Sequence, residues 1–351
     1  RWDCFYEDGP RNSILGFEFA INTGALAPVC CPKPRYGPHE STIILDLIQS
    51  LLHNDWIEEC GGAWGSLIVL APKPHQEHVT KIDDFIWRMC VSYRKLNSVT
   101  LPFAYPIPRC DDAIDDFGDS VGRLWFISLD ARQGYHQIRV RLADREKLAF
   151  FAPDGKKYTF KVMPFGPTNA PGIYTAMMRK MQDEWDALFE SLYPNSAHKG
   201  CRVIIDDILL FSNDIATLIK YLDCVCQVFI KYRVSLKLGK CDFLKNRFEY
   251  VGHNITADGN CPAESKFDLV KDWSLPSNGQ GLRSFVSLCN FYHRFCPRFE
   301  VSVKPFCSLI SEFHCQPIPA DRWTSDLVSL FDKLKQDIVS SPLLAQFNSG
   351  K

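Results

Sequence analysis

Long apolar runs are missing from this chain. Its longest, such as Ser66–Ala71 and Ile208–Phe211, are far too short to cross a bilayer, so no membrane association is expected. No charged-then-apolar leader opens it, and no secretory signal is read. Internal repeats and low-complexity tracts are missing too. Neither sign of charge dominates: 40 Lys+Arg stand against 41 Asp+Glu, a net charge of -1. The whole chain therefore carries no basic footprint of the kind that nucleic-acid binders show. A disulfide rhythm is also lacking. The 15 cysteines are odd in number and scattered, and are expected to be reduced, intracellular thiols.

What is present is ordinary globular material. The 351 residues are 46% hydrophobic and 23% charged, with 25 Phe, enough for a sizeable core and two or three modules. The chain begins at Arg1 and stops at Lys351 after Asn348-Ser349-Gly350, and is expected to be a piece of something longer. Charge is unevenly spread. Residues 216–305 carry 13 Lys+Arg against 8 Asp+Glu, whereas residues 1–215 carry 23 against 28. That division suits a chain that grips phosphates in one place and holds metal with carboxylates in another. Cys289, His293 and Cys296 have no second ligand pair nearby, so packing is expected there rather than zinc.

Helical and strand-like patterns are mixed without regular alternation, which argues α+β. Ser41 is placed to cap a helix with Ile44, Leu47 and Leu51 on its apolar face. Ser66–Ala71, Met89–Tyr93 and Leu124–Leu129 read as strands, Asp111–Phe117 as a short helix. Lys147–Ala152 and Lys157–Val162 flank an Asp154-Gly155 turn. Pro171–Leu188 and Asp214–Tyr232 read as helices and Phe248–Ile255 as one strand. After Pro262 the pattern is helical.

The chemistry starts at Asp206-Asp207, set between two apolar strands. A lone Asp-Asp is more often a polar turn, because adjacent carboxylates repel unless a cation relieves them. Asp130, at the end of another apolar strand, changes that balance. Two strand-end carboxylate positions brought together could bind two magnesium ions, clamping both oxygens of an in-line phosphoryl displacement. Asn22-Thr23-Gly24 imitates an aspartic-protease motif, but Asn cannot supply the carboxylate.

Here the chain meets a family. Leu129-Asp130-Ala131-Arg132-Gln133-Gly134-Tyr135-His136-Gln137-Ile138 resembles the LDxxxGYHQI block of reverse transcriptases from gypsy-type LTR retrotransposons. Val162-Met163-Pro164-Phe165-Gly166-Pro167-Thr168-Asn169-Ala170-Pro171 resembles their VMPFGLTNAP, and Ile204-Ile205-Asp206-Asp207-Ile208-Leu209-Leu210-Phe211-Ser212 their YxDDILIFS. Tyr250-Val251-Gly252-His253 resembles FLGH, and Ser284 to Phe295 the SFLGLxNYYRRF helix. Pro342-Leu343-Leu344-Ala345 is similar to the PVL segment leading into RNase H. Six blocks in order over roughly residues 17–347 make a specific match.

The resemblance implies a right-hand polymerase with an antiparallel palm sheet. Its expected division is 1–35 an N-terminal extension, 36–109 fingers, 110–143 palm, 144–162 a fingers hairpin, 163–261 palm again, 262–338 thumb and connection, and 339–351 the start of a truncated RNase H-like domain. Asp130, Asp206 and Asp207 match the catalytic, metal-binding aspartates, with Mg2+ or Mn2+ as cofactor. Tyr135 matches an aromatic gate under the sugar of the incoming nucleotide, Arg88 a triphosphate-binding arginine and Lys73 its companion. Phe165 and Gly166 would line the nucleotide pocket, and Val251, Gly252 and His253 the primer grip. Taken singly, Tyr135 reads as a core aromatic, Arg88 as a surface ion-pair partner and the stripe from Leu282 to Phe295 as thumb core.

Three departures stand out. Ile204 replaces Tyr, Pro167 replaces Leu, and Ser92 stands where Asp is frequent. No carboxylate is lost, so the implied activity is an RNA-directed DNA polymerase that extends a primer with dNTPs on an RNA or DNA template. The rival is a decayed or domesticated nucleic-acid-binding remnant. Protease, RNase H and integrase are the implied partner domains of a parent polyprotein. The implied location is the cytoplasm or virus-like particles.

Overall fold

The computed structural model describes residues 3–6, 13–72, 86–106, 125–196, 199–204, 207–250, 252–256, 259–263, 267 and 270–340. It divides into two compact units. The first comprises Arg1–Pro108, Ile127–Leu210 and Ala216–Phe243; the second comprises Arg109–Phe126, Phe211–Ile215 and Leu244–Lys351. The expected helix Asp111–Phe117 lies outside the described residues.

In chain order come the short strands β1 (Phe5–Tyr6) and β2 (Glu18–Phe19), then helix α1 (Pro38–His53). The helix begins three residues before Ser41, with Gly37 as its N-cap. Pro38 supplies a pre-set φ at the first turn, and Glu40 reaches back to accept the Gly37 N–H at 3.0 Å. Ser41 is inside that turn, its hydroxyl donating to the Gly37 carbonyl at 2.8 Å. Strands β3 (Ile57–Glu59), β4 (Leu67–Pro72) and β5 (Trp87–Ser92) and helix α2 (Arg94–Val99) follow. β4 and β5 pair antiparallel with Ala71 opposite Arg88.

Next are β6 (Trp125–Asp130), β7 (Arg139–Val140), β8 (Phe150–Phe151) and β9 (Lys157–Phe160). Residues Leu142–Leu148 coil into a 3-10 helix, so the strand expected from Lys147 starts only at Phe150. The cause is Asp144. Its buried carboxylate accepts from Arg141, from Lys147 and from the Ile21 N–H, and those bonds hold the turn. β8 and β3 flank β9 in an antiparallel sheet.

Helix α3 (Ala170–Leu192), β10 (Lys199–Ile204), β11 (Asp207–Ser212), helix α4 (Ile215–Tyr232), β12 (Leu236–Lys237) and β13 (Asp242–Lys245) complete this stretch. One four-stranded sheet has the order β10-β11-β6-β13. Only residues 205–206 separate β10 from its neighbour β11, and a connection that short joins antiparallel strands. Helices α3 and α4 bury Tyr174, Met178, Met181 and Trp185, and Leu218, Tyr221, Val225 and Phe229. These lie three and four apart, one stripe per helix. Trp185 meets Phe229 edge to face at 5.6 Å and donates to Tyr221 at 3.1 Å.

The second unit carries β14 (Phe248–Tyr250), β15 (His253–Thr256) and β16 (Gly259–Pro262) as an antiparallel sheet. The single strand expected over Phe248–Ile255 is thus two, broken where Gly252 takes φ +73. Helices α5 (Gly279–Phe291), α6 (Phe299–Phe313) and α7 (Ser325–Val339) follow. Asn278 caps α5 by accepting the Gly281 N–H at 2.8 Å, and Thr324 caps α7. Leu282, Phe285, Phe306, Phe331 and Leu334 form their core, with Phe285 and Phe331 4.2 Å apart. Cys289 and Cys296 are buried in that core and His293 is exposed, so the two cysteines pack. Among the described residues no helix is long and apolar enough to cross a membrane.

Candidate active site

β6 is largely buried up to its last residue. Phe126, Ile127 and Leu129 are inside, while Asp130 keeps 34% of its side chain exposed at the strand's end. β11 lies next to β6, with Asp207 exposed at its start and Ile208–Ser212 buried behind it. Desolvation pushes the Asp207 carboxyl up from its usual range, and the Asp130 carboxylate pushes it further; Lys240 draws it back. The structure therefore brings two of the three predicted carboxylates into each other's field. Asp206 lies outside the described residues.

Two residues that the sequence motifs did not single out build this site. Lys240, at the end of a 3-10 turn over Leu238–Lys240, places its ammonium 3.2 Å from Asp130 Oδ2. Gln137 is buried and clamps the chain just beyond Asp130. Its amide donates to the carbonyls of Arg132 and Ser235, both at 2.9 Å, and accepts the Ser235 N–H at 2.8 Å. Arg132 N–H also donates to the Ser235 carbonyl at 2.9 Å, and Ala131 bridges Leu236. Gln137 sits inside the GYHQI block, which was a signal. Lys240 had none beyond the basic segment that contains it.

Tyr135 is 5% exposed, stacked on Phe165 at 4.8 Å and tilted against Tyr174 at 5.1 Å. Phe165 is 57% exposed. His136 stacks flat on Trp56 at 4.3 Å and meets the edge of Phe165. Gly166 takes φ +109, and a Cβ there would press on the Val91 carbonyl at 3.3 Å and the Tyr93 ring at 3.2 Å. Glycine suits both demands. Asn97 holds this loop from both sides: its Nδ2 donates to Gly166 at 3.0 Å and its Oδ1 accepts the Thr168 N–H at 2.9 Å. Pro167 is buried, its carbonyl accepting from Ala170. Arg88 is exposed on β5, on the strand whose Val91 faces Gly166. Lys73 lies outside the described residues.

In the second unit the Gly252 turn is held by α5 and the residues just after it. Tyr292 donates to the Gly252 carbonyl at 3.0 Å. His253 is 3% exposed, among Phe291, Tyr292 and Phe295 at ring distances of 5.2 to 5.8 Å. Val251 lies outside the described residues.

Hard carboxylate oxygens on adjacent strands, with a cation already seated on one of them, fit a magnesium site by donor chemistry. Comparison with known proteins gives that chemistry a family. Residues 78–255 match the family described as reverse transcriptase (RNA-dependent DNA polymerase). The chain is 27% identical over 344 residues, 97% of its length, to the retrovirus-related Pol polyprotein from transposon 297 of Drosophila melanogaster. It is 30% identical over 93% of its length to the corresponding polyprotein from transposon opus of the same fly. Against the transposon Tf2-3 polyprotein of Schizosaccharomyces pombe it is 28% identical over 75%. It spans 30%, 31% and 18% of those three relatives.

Its fold is similar to part of the foamy viral protease-reverse transcriptase. The form solved with double-stranded DNA superposes with a TM-score of 0.77 at 21% identity, covering 95% of this chain and 54% of that one. The form solved with an RNA/DNA hybrid gives 0.73 at 19%, covering 98% and 42%. The chain belongs to the reverse transcriptase (RNA-dependent DNA polymerase) family.

Proposed function

We propose that this chain extends a primer 3′-hydroxyl with dNTPs, using Asp130, Asp206 and Asp207 to hold divalent metal. The observation that carries the proposal is the mutual field of Asp130 and Asp207, partly relieved by the Lys240 ammonium on Asp130. Two carboxylates on adjacent strands, each in the other's field, call for positive charge. Bound magnesium would supply charge neutralisation on the transferring phosphate and on the attacking and leaving oxygens. The chain's own part is to aim carboxylates. Gln137 fixes the turn after Asp130, and the buried run after Asp207 fixes β11.

The remaining roles follow the motif resemblance. Tyr135, Phe165 and Gly166 line the deoxynucleotide pocket, with the Tyr135 ring excluding a 2′-hydroxyl. Arg88, joined by Lys73, offers the triphosphate a guanidinium fork. Val251, Gly252 and His253 grip the primer end. In domain terms, residues 36–109 and 144–162 act as fingers, 110–143 and 163–261 as palm and 262–338 as thumb, with 1–35 an extension and 339–351 leading into an RNase H-like domain. The template is RNA or DNA, and the partner domains are protease, RNase H and integrase of one polyprotein working in the cytoplasm or in particles.

The test is magnesium-dependent primer extension on RNA and DNA templates by the purified chain and by Asp130→Asn and Asp206→Asn. Each variant should lose about a thousandfold or more in rate, as when several kcal/mol of transition-state charge stabilisation disappear, while template-primer binding persists. Extension by either variant at wild-type rates would overturn the assignment.

A further inference from the structure

Lys240 is a surface lysine by exposure, with 58% of its side chain open. Exposed ion pairs are ordinarily incidental. Its partner makes this one different, because Asp130 is a residue that must offer its oxygens to metal. The inference below rests on that reading of Asp130.

The root of Lys240 is fixed to the same frame as Asp130. Leu238–Lys240 follows β12, and the turn is closed by Cys241 N–H donating to the Leu238 carbonyl at 3.0 Å. Cys241 Sγ adds a bond to the Lys237 carbonyl at 3.3 Å. Just before that turn, Ser235 and Leu236 are tied to the residues after Asp130 by the Gln137 clamp and by the Ala131 bridge. The two backbones therefore keep their spacing while the lysine's four-carbon stem, open to solvent, can swing its head away.

A divalent ion bound to Asp130 would need oxygens at about 2.0–2.1 Å, the same lone pairs that now face the ammonium. Two cations cannot share them without repulsion. We infer that Lys240 is a built-in counter-cation that competes with divalent metal for Asp130 and so sets how tightly the carboxylates take metal. It is a positioning residue: it holds the carboxylates in place before metal arrives and must withdraw when it does.

Manganese alone, titrated into the full chain without nucleic acid and followed by electron paramagnetic resonance, tests this. Lys240→Gln should bind Mn2+ about two- to fivefold more tightly, the scale on which an exposed ion pair competes. Lys240→Arg keeps the charge and should stay near wild type. Lys237→Gln removes an equal charge three residues away and should shift affinity less than Lys240→Gln does. In primer extension, the magnesium concentration for half-maximal rate should fall for Lys240→Gln. Unchanged or weaker Mn2+ binding by Lys240→Gln, or an equal gain in Lys237→Gln, overturns the inference, provided that Asp130→Asn loses Mn2+. If Asp130→Asn binds Mn2+ as wild type does, the metal-site reading itself falls, and this inference with it.

Discussion

The two units of this chain solve their local problems by opposite means. In the first, the site around Asp130 and Asp207 is left electrostatically incomplete, with carboxylates crowded and one lysine in partial compensation. Polar clamps recur in this unit: Gln137 just beyond Asp130, Asn97 around Gly166, Asn169 holding Leu101 and Phe103. In the second unit the Gly252–His253 turn is complete as it stands, with its carbonyl bonded by Tyr292 and its histidine ringed by aromatics. Under the proposed function, the difference separates a candidate cation site from a candidate primer grip that presents backbone in a fixed shape. On the proposed roles, charge is left unbalanced at the candidate metal site and packing is finished at the candidate primer grip.

The comparison breaks most readily in the helical core. Phe285 is fully buried against Phe331 and Trp273, so Phe285→Ala should destabilise the second unit by about 3–5 kcal/mol. Denaturant unfolding followed by tryptophan fluorescence would measure it; a loss under 1 kcal/mol, roughly what a surface change produces, would deny that packing dominates there.

Asp144 sharpens the polar side of the contrast. Burial alone would push its carboxyl up, yet Lys147, the Ile21 amide and Arg141 hold it below the usual carboxylate range. A depressed folded value adds stability that is present above the ordinary aspartate range and lost as pH falls through the folded value. Asp144→Asn should therefore cost about 3 kcal/mol at neutral pH, and the deficit should shrink as pH falls below the ordinary aspartate range. Unfolding midpoints at both pH values decide it, and a deficit independent of pH would mean that shape rather than charge is responsible.

Tyr135 tests whether a buried aromatic of the first unit is also a selector. Tyr135→Ala should raise ribonucleotide over deoxyribonucleotide incorporation by about tenfold to a hundredfold, the range open to steric discrimination in a pocket. Single-nucleotide insertion kinetics with unchanged discrimination would leave Tyr135 as core and nothing more. The smallest effect is expected at Tyr292→Phe. It removes only the hydroxyl on the Gly252 carbonyl, about 1 kcal/mol of stability, and thermal melting should register a small drop with the aromatic packing intact.

By itself the sequence determined the fold family and the helices with clear stripes, and it nominated Asp130, Asp206 and Asp207 as candidate carboxylates. Catalytic residue types recur in short blocks of local spacing, and a carboxylate that ends an apolar strand stands out against its neighbours. It also pointed to glycine at 166 and 252, where only the structure revealed the positive φ that requires it. Its errors were local. Ser41 looked like a cap because the Gly37–Pro38 start carries a weaker signal than a serine, and Phe248–Ile255 looked like one strand because its apolar pattern continues through the turn. Tertiary structure alone decided the partners. Gln137 meets Ser235 across 98 residues, Lys240 meets Asp130 across 110, and Asn97 meets Gly166 across 69. A pattern read over a few residues can place a side chain on a face or at a strand end. Which distant chain arrives opposite it depends on strand order and on where the loops return, and those are settled only when the whole core closes.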